Sequence, residues 1–315
     1  MSAPNSLTFP DHTYVDGYLH KIYGYRYNWH KNAYEIDIVL KGTLEFCRGG
    51  EKIVLHQDDF LIVDPGIGHA SYPLEPDTVT LVLHFSARAL ADFQEAEVYR
   101  SFSFHSDETN RKESRCRLIR YFSAQLIRTL SKPSLEKSDR NLARSALGMI
   151  AYLLCNEFPS QILPRQMELD ISDDDSLMAQ VTEFISENCS EKIKLQDVAD
   201  RFHYNRTYIS GLFKKTTGIG FYEYLTRIRF HRAVLALGNP EKNLSQVAID
   251  NGFPDLKSFN QLFEENFGMS PKVYRGLIRQ ELAGAGLIPD PANPQTFLDP
   301  EEPSMRERLE AYLAV

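Results

Sequence analysis

An internal duplication in the second half of the 315-residue chain constrains its fold more than any other feature. Three short segments recur 49 or 50 residues later: Val198-Ala199 as Val247-Ala248, Leu212-Phe213 as Leu262-Phe263, and Gly218 as Gly268. The one-residue difference falls between the two halves of each unit, where a turn would lie. Self-similarity at such a period is the signature of a repeated supersecondary unit. We therefore predict two copies of a helix, a tight turn and a second helix.

The residues at the predicted turns and crossings support this arrangement. Asn205 can cap the second helix of the first unit, and Gly252 can end the first helix of the second unit in left-handed geometry. The small side chains of Ala199 and Ala248 allow the close crossing that a helix-turn-helix requires. A further helix is predicted over Phe221–Leu237, between the two units.

Charge is distributed unevenly along the chain. The net charge is −8, but residues 176–280 hold 14 lysines and arginines against 11 acidic residues, which leaves −11 for the remainder. Between Arg201 and Arg232 there are seven basic residues and one acid, Glu223. Such a local excess is the electrostatic footprint of a nucleic-acid-binding face, although a solvated helix face has the same composition.

Several motifs in this region are specific in combination. They are FKKxTG at 213–218, Arg229 with Ala233, NGF at 251–253 and GMSPxxYR at 268–275. With these motifs the region resembles the DNA-binding domain of the AraC/XylS family of bacterial transcription regulators, over about 100 residues. The resemblance implies two recognition helices per chain, which enter successive major grooves about one turn (~34 Å) apart. The alternative is a pair of packed helical hairpins with no role in DNA binding.

The resemblance also implies which side chains meet DNA. The exposed N-terminal positions of the recognition helices are expected to contact bases: Arg206, Thr207, Ser210 and Gly211 in the first, and Leu256, Lys257, Asn260 and Gln261 in the second. Arginine can pair with guanine, and asparagine or glutamine with adenine. Four basic residues are expected to contact phosphates: Lys214, Lys215, Arg227 and Arg232. Each can instead be a solvated surface charge. Arg229 is expected to bridge the two units.

The two units are expected to contribute unequally. Gly211 occupies a position where the family often has a long polar side chain, so the first helix is expected to contact fewer bases. In the second unit, residues 243–268 have one basic residue, Lys257, against four acids, a net charge of −3. Phosphate repels such a surface. We expect the first unit to supply most of the affinity.

The first half of the chain has the pattern of an antiparallel β-barrel or jelly roll within residues 14–85. Short apolar runs bounded by turn residues predict strands at Tyr34–Leu40, Thr43–Cys47, Lys52–Leu55, Phe60–Val63 and Val79–Phe85. The glycines of Arg48-Gly49-Gly50-Glu51 suit a hairpin turn.

Polar residues in this part of the chain resemble the two half-motifs of a cupin. The pattern is His30-x4-Glu35-x6-Gly42, followed by Asp59-x5-Pro65 and His69. Cupin metal sites use an HxH pair, a glutamate and a later histidine. Asn28 stands here where the first histidine of the pair would be, which removes a good nitrogen ligand. We therefore expect no metal and no cofactor.

The motif also resembles the sensor half that precedes many AraC-type DNA-binding domains. That resemblance implies a barrel interior that holds a small effector instead of a metal. Six residues are expected to line a polar and aromatic pocket that suits a sugar: His30, Glu35, His69, Trp29, Tyr34 and Tyr72. The alternative is that His30 and Glu35 form hydrogen bonds within the barrel mouth and bind nothing.

The remaining segments complete the predicted domain organisation. Residues 114–155 change to a helical period and predict two amphipathic helices, which form a dimerisation element or pack only onto the barrel. The predicted domains are 1–155 for effector binding and dimerisation, 156–175 for a linker, 176–280 for DNA binding and 281–315 for a tail of unassigned role. The fold class is α+β, with a cupin-like antiparallel barrel and two helices before an all-α domain of two helix-turn-helix units.

These domains predict a ligand-responsive, sequence-specific DNA-binding transcription regulator. The expected partners are double-stranded DNA, a small effector with sugars as the preferred class, a second copy of the chain, and RNA polymerase if the protein is an activator. The family resemblance alone suggests genes of carbohydrate uptake or catabolism as targets. Two alternatives are a metal-dependent cupin enzyme fused to a helical interaction domain, and an interaction protein whose helical half binds another regulator.

Composition excludes several other classes. Apolar residues make up 43% and charged residues 25%, which is typical of a globular protein. No apolar run approaches the ~18 residues that span a bilayer, and the N-terminus lacks the pattern of a secretory signal. The four cysteines have no CxxC spacing and suit reduced thiols. We expect a cytoplasmic protein that is not an enzyme and does not contact a membrane.

Overall fold

A computed structural model describes residues 14–22, 26–28, 30, 33–75, 77–93, 98–164, 173–276 and 295–314. The strands are β1 (Val15–Ile22), β2 (Arg26–Asn28), β3 (Ala33–Lys41), β4 (Thr43–Arg48), β5 (Glu51–His56), β6 (Phe60–Val63), β7 (His69–Pro73), β8 (Val79–Ser86), β9 (Val98–Ser101), β10 (Gln161–Pro164) and β11 (Gln295–Leu298). The helices are α1 (Ser114–Leu130), α2 (Lys137–Glu157), α3 (Asp173–Asn188), α4 (Leu195–Arg201), α5 (Arg206–Thr217), α6 (Phe221–Ala236), α7 (Leu244–Asp250), α8 (Leu256–Phe267) and α9 (Pro303–Leu313), with a 3-10 helix at Ala87–Phe93.

Two antiparallel sheets form the barrel. One has the strand order β11-β1-β8-β3-β6 and the other β2-β7-β4-β5. The five predicted strands are present as β3, β4, β5, β6 and β8, with ends that differ by no more than one residue. Gly49 and Gly50 both have positive φ in the hairpin turn between β4 and β5, as predicted. The predicted α+β class, a cupin-like barrel before a helical domain, is confirmed.

The five-stranded sheet is buried on both faces. On β3, Tyr34, Ile36 and Ile38 belong to a cluster that includes apolar residues of α1 and α2. Because successive strand residues point to opposite faces, Glu35 and Asp37 point to the other side, into the barrel. The sheet therefore separates an apolar layer beneath the helices from an interior that includes buried carboxylates.

The helical domain contains the two predicted units, α4–α5 and α7–α8. Asn205 Oδ1 accepts a hydrogen bond of 2.8 Å from the backbone N–H of Tyr208, and Asp255 Oδ1 accepts one of 2.7 Å from Ser258. Such N-caps satisfy amide groups that the first turn of a helix leaves open. Gly218 and Gly268 end the two recognition helices in left-handed geometry. The caps and ends repeat because the sequence repeats.

Arg229 has the structural role that its position predicts. Its Nε donates to the carbonyl of Cys189 and its Nη2 to that of Glu191, both at 2.7 Å, which ties α6 to the loop before α4. A Cβ on Gly252, in the second unit, would lie 2.7 Å from Arg229 Nε. Arg229 thus lies where the two units meet.

The end of the chain returns to the barrel. β11 pairs with β1 in the register Leu19↔Leu298, and α9 packs beside α1. Arg308 and Tyr312 on α9 both bond to the carboxylate of Asp58 in the β5–β6 turn. The tail predicted over 281–315 is therefore, in its described part, an element of the N-terminal domain.

The predicted linker at 156–175 is shorter than expected. α2 continues to Glu157, β10 pairs with β9, and α3 begins at Asp173, so ordered elements occupy both ends of the range. Two-stranded pairing with β9 places Gln161–Pro164 against the barrel domain. Residues 165–172 of the predicted linker lie outside the described residues.

Two other expectations concern the whole chain. All four cysteines, Cys47, Cys116, Cys155 and Cys189, are buried, and the structure joins none of them in a disulfide. Among the helices of the described ranges, none has the length and apolar composition to cross a membrane.

Candidate nucleic-acid interface and ligand site

The first recognition helix, α5, borders an open groove of about 800 Å³. The groove is lined by Leu195, Arg206, Thr207, Ser210, Gly211, Lys214 and Lys215. This set includes all four residues predicted to contact bases in the first unit and two of the four predicted phosphate contacts. A Cβ on Gly211 would meet no heavy atom within 4 Å, so the missing side chain leaves this part of the groove open.

The second recognition helix, α8, offers fewer free polar groups. Lys257 is exposed, whereas Gln261 donates to Glu265 on the same helix at 2.9 Å. Leu256 is half-buried and packs against the helical core, so only part of its side chain is exposed for the predicted base contact. Asn260 is half-buried, and its Oδ1 has no hydrogen-bond partner among the described residues. α8 therefore presents fewer unbonded polar groups than α5, on a more acidic helix.

The four predicted phosphate contacts have different environments. Lys214 is exposed. Lys215 Nζ is also exposed but lies 2.7 Å from a carboxylate oxygen of Asp174, at the start of α3. Arg232 is half-buried. Arg227 is paired in this structure, since its guanidinium contacts Glu45 of β4 in the interface with the barrel, and its contact with phosphate stays a prediction.

Inside the barrel, three histidines converge on one carboxylate oxygen. Glu35 Oε2 lies 3.0 Å from His30 Nε2, 3.2 Å from His69 Nε2 and 2.8 Å from His84 Nε2. These residues come from β3, the chain before it, β7 and β8, so both sheets contribute. Glu35, His69 and His84 are buried, and His30 is half-buried at the edge of the group. We call these four residues the histidine cluster.

Burial and charge oppose each other in the histidine cluster. Burial alone would raise the pKa of Glu35, but the imidazoles of His69 and His84 outweigh it and hold this pKa well below its usual range. Burial would lower the pKa of His69, but the Glu35 carboxylate raises it above its ordinary value. For His30 burial prevails and lowers the pKa. Asp37, deeper in the interior, has a pKa raised well above its usual range by burial and by Glu35.

The donor set fits a divalent transition metal. One ligand atom each from His30, Glu35 and His69 lies within 4.8 Å of the others. His69 Nδ1 lies 3.1 Å from the carbonyl of Ile67, which can only accept, so Nδ1 carries the proton. Nε2 of a neutral His69 would then present a lone pair to Glu35 Oε2, which lies 3.2 Å away. A cation between the two groups, either a proton or a metal ion, relieves that repulsion.

The aromatic residues predicted for the pocket lie elsewhere. Tyr34 points to the opposite face of β3 from Glu35 and donates to the carbonyl of Arg100 at 2.6 Å. Tyr72 faces the helical domain, where its hydroxyl donates to Asn266 at 3.1 Å. Strand alternation explains both differences, because neighbours of an inward residue face outward. Trp29 lies outside the described residues.

Two members of this interior were missed by the sequence analysis. His84 interrupts the apolar run of β8, whose Leu81, Leu83 and Phe85 face the helices. Asp37 follows Glu35 by two residues and therefore shares its face. Period-two alternation was the signal that could have identified both.

Comparisons with known proteins agree with this domain organisation. A helix-turn-helix domain model matches residues 198–276, and a cupin domain model matches residues 24–83. The N-terminal half of the chain thus matches a cupin domain and the C-terminal half a helix-turn-helix domain.

The chain is similar to several regulators. The Msm operon regulatory protein of Streptococcus mutans is 22% identical over 182 residues, which are 58% of this chain and 61% of that protein. YijO, an uncharacterized HTH-type transcriptional regulator of Escherichia coli K12, is 29% identical over 52% of this chain and 56% of its own length. The melibiose operon regulatory protein of the same strain is 29% identical over 33% and 34%. The chain therefore spans between about a third and three-fifths of these relatives, which are regulators rather than enzymes.

Solved structures show a looser similarity. ToxT from Vibrio cholerae O395 is 13% identical with a TM-score of 0.39, over 83% of this chain and 97% of that one. The C-terminal domain of AraT, a response regulator from Geobacillus stearothermophilus, is 26% identical with a TM-score of 0.32, over 34% and 88%.

Proposed function

We propose that the chain is a ligand-responsive, sequence-specific DNA-binding transcription regulator. The observation that carries this proposal is the groove along α5, where six residues predicted to meet DNA line one exposed surface. An N-capped helix whose first turns present Arg206, Thr207 and Ser210 can place side chains against base edges in a major groove. Lys214 and Lys215, near the other end of the helix, are then in position for the phosphate backbone.

The histidine cluster is proposed as the ligand site, and two strands connect it to the DNA-binding domain. β7 carries His69 in the cluster and Tyr72 at the helical domain. β4 carries Phe46, whose ring stacks on His69, and Glu45, which pairs with Arg227. Glu45 and Tyr72 are cross-strand partners. A ligand that moves His69 therefore acts, through β4 and β7, on Glu45 and Tyr72. These two residues contact the helical domain from the other face of the same sheet.

Two ligand classes have separate support. A divalent transition metal is favoured by the chain itself, and His30, Glu35 and His69 would hold it. When bound, such an ion would supply positive charge next to Glu35, while His84 would orient that carboxylate. A sugar is favoured by the relatives, since one regulates a melibiose operon by name. Tyr34 and Tyr72, the aromatic residues expected to pack against a sugar, do not line the histidine-rich interior. This interior therefore favours the metal ion over the sugar.

A dimer is proposed from the surface of α2. Leu142, Met149 and Tyr152 are each at least 40% exposed, at spacings of seven and three residues, so they share one face of the helix. Their neighbours Ala146, Ile150 and Leu153 are buried against the barrel. The exposed stripe is available to a second copy of α2, and pairing would raise the affinity for a double site through effective concentration.

DNA binding is tested by the salt dependence of affinity. The full chain is titrated onto a labelled duplex of random sequence between 50 and 200 mM salt, and binding is followed by fluorescence anisotropy. We expect log affinity to fall linearly with log salt, because Lys and Arg release counterions from phosphate. Arg206→Ala is expected to cost more affinity than Asn260→Ala, since α5 is the more basic and more open helix. Affinity independent of salt, or equal losses in the two variants, would contradict the proposal.

The ligand class is tested by thermal unfolding with sugars and with divalent metal ions, each with and without a chelator. A ligand at 100 times its dissociation constant adds about 2.7 kcal/mol to the native state. Stabilisation by one metal ion that the chelator removes, and that Glu35→Gln abolishes, identifies a metal. Stabilisation by a sugar that ignores the chelator identifies a carbohydrate. Stabilisation by neither class contradicts the histidine cluster as the ligand site.

A further inference from the structure

We infer that the barrel holds the DNA-binding domain in a closed arrangement, which we call the latch, and that the latch withholds Arg227 from DNA until the two domains separate. The inference rests on the proposed function, because it concerns how strongly that domain binds DNA. Three contacts carry it: a half-buried ion pair, a close approach of two backbones, and a polar contact to the second recognition helix. Each joins the outer face of the sheet β2-β7-β4-β5 to helices of the DNA-binding domain.

The ion pair removes Arg227 from the surface. Its guanidinium contacts Glu45 of β4 and also Glu223 on its own helix, at 2.9 Å from the latter. It lies over the ring of Tyr72, 4.7 Å from the centroid. The side chains of Arg227 and Glu45 are only 16% and 13% exposed. A guanidinium held by two carboxylates and an aromatic face is not available to a phosphate.

The backbone contact is made by the hairpin turn between β4 and β5. A Cβ on Gly50 would lie 2.4 Å from the carbonyl oxygen of Lys215, at the end of α5. A Cβ on Gly218 would lie 2.7 Å from the carbonyl oxygen of Gly50. The turn is therefore pressed against the part of α5 that carries Lys214 and Lys215, and only glycines permit this approach.

Further polar contacts extend the latch on both sides. Tyr72 reaches α8 through the 3.1 Å bond to Asn266. Lys52 of β5 lies 3.3 Å from Glu223 of α6. Helices α5, α6 and α8 of the DNA-binding domain thus all touch the barrel. The apolar residues Ala70 and Tyr72 of β7 belong to the same buried cluster as the helical core.

The latch predicts a specific change in DNA binding when it opens. Each phosphate contact contributes about 0.9 to the slope of log affinity against log salt. Freeing Arg227 should therefore steepen the slope by about one and raise affinity about three- to tenfold near 0.1 M salt. Removal of an acidic charge from anywhere on the surface would raise affinity a little but would not add a contact.

The first test replaces the acidic partner with its neutral isostere. Full-length Glu45→Gln is compared with wild type and with Glu113→Gln on a random duplex of about 40 base pairs. Glu113 is the matched control, since it pairs with Arg115 beside α1, within the barrel domain, and its loss changes net charge equally. We expect the steeper slope and higher affinity in Glu45→Gln alone. An unchanged Glu45→Gln, or an equal change in Glu113→Gln, would overturn the latch.

The second test opens the interface without changing any charge. Gly50→Ala adds the Cβ that meets Lys215, whereas Gly49→Ala, in the same turn and also at positive φ, adds one whose nearest neighbour is Ile67 at 3.9 Å. Both carry the backbone cost of a left-handed alanine. We expect Gly50→Ala to bind DNA more tightly than Gly49→Ala, and equal affinities would overturn the latch. If no variant and not even wild type binds DNA, the proposed function fails rather than the latch alone.

Discussion

At the scale of single residues, strand alternation decides what the barrel presents to each side. Glu35 and Tyr34 are adjacent in sequence, yet one faces the histidine cluster and the other packs with Phe85 and Phe102. Motif spacing predicted that His30, Glu35 and His69 belong together, because the half-motifs imply a shared interior. It could not predict His84, which belongs to neither half-motif and reaches Glu35 only because β8 pairs with β3.

A buried histidine of the helical domain predicts a pH dependence of stability. His231 on α6 is buried, and burial lowers its pKa to about 3. In the unfolded chain this histidine titrates near 6.5, so below that pH the unfolded state binds a proton that the native state excludes. The stabilisation is thus complete above pH 6.5 and is lost as the pH falls toward 3. At pH 5.5 the free energy of unfolding should be about 1.4 kcal/mol lower than at pH 7.5 from this group.

Urea unfolding followed by circular dichroism at the two pH values checks this prediction. His231→Leu removes the titrating group, so its free energy of unfolding should fall less between pH 7.5 and pH 5.5 than that of wild type, by about 1.4 kcal/mol. The same pH dependence in both proteins would show that His231 is protonated in the native state.

At the scale of elements, local sequence patterns predicted helices and strands well, whereas strand pairings between distant parts of the chain were not predicted. α5 and α8 followed from repeated caps and apolar spacing, and Phe60–Val63 was predicted with its observed bounds. β11 was not predicted, because its partner β1 lies more than 270 residues earlier in the chain. No local pattern in Gln295–Leu298 specifies that pairing. Only the three-dimensional structure therefore assigns the described part of the tail to the barrel domain.

The returning helix α9 should stabilise the barrel. Leu309 is fully buried in the layer between the sheet and the helices. Leu309→Ala should lower the free energy of unfolding of the barrel by about 3 kcal/mol, from lost burial and the cavity left behind. The exposed neighbour serves as the control, and Glu310→Ala should change it by less than about 0.5 kcal/mol. Urea unfolding of both variants and of wild type, followed by circular dichroism, measures the change. Equal effects of the two substitutions would show that α9 does not support the barrel.

At the scale of the whole molecule, the DNA-binding domain lies in the chain between two parts of the barrel domain. The chain enters it from the barrel domain before α3 and returns to the barrel at β11. Between these two attachments, the sheet that contributes His69 to the histidine cluster also holds Arg227. Although the net charge of the chain is −8, residues 176–280 are basic, and two of the four predicted phosphate contacts, Lys215 and Arg227, are paired with acids of the same chain. A ligand and DNA can therefore compete through the same interface.

Selection of bound sequences from a random duplex library tests the central claim most directly. The full chain is used as wild type and as Arg206→Ala, and the enriched duplexes are sequenced. Two recognition helices predict two preferred segments about one helical turn (~10 base pairs) apart, the stronger of which loses its preference in Arg206→Ala. Enrichment of no sequence, or of the same sequence to the same extent by both proteins, would contradict sequence-specific recognition through α5.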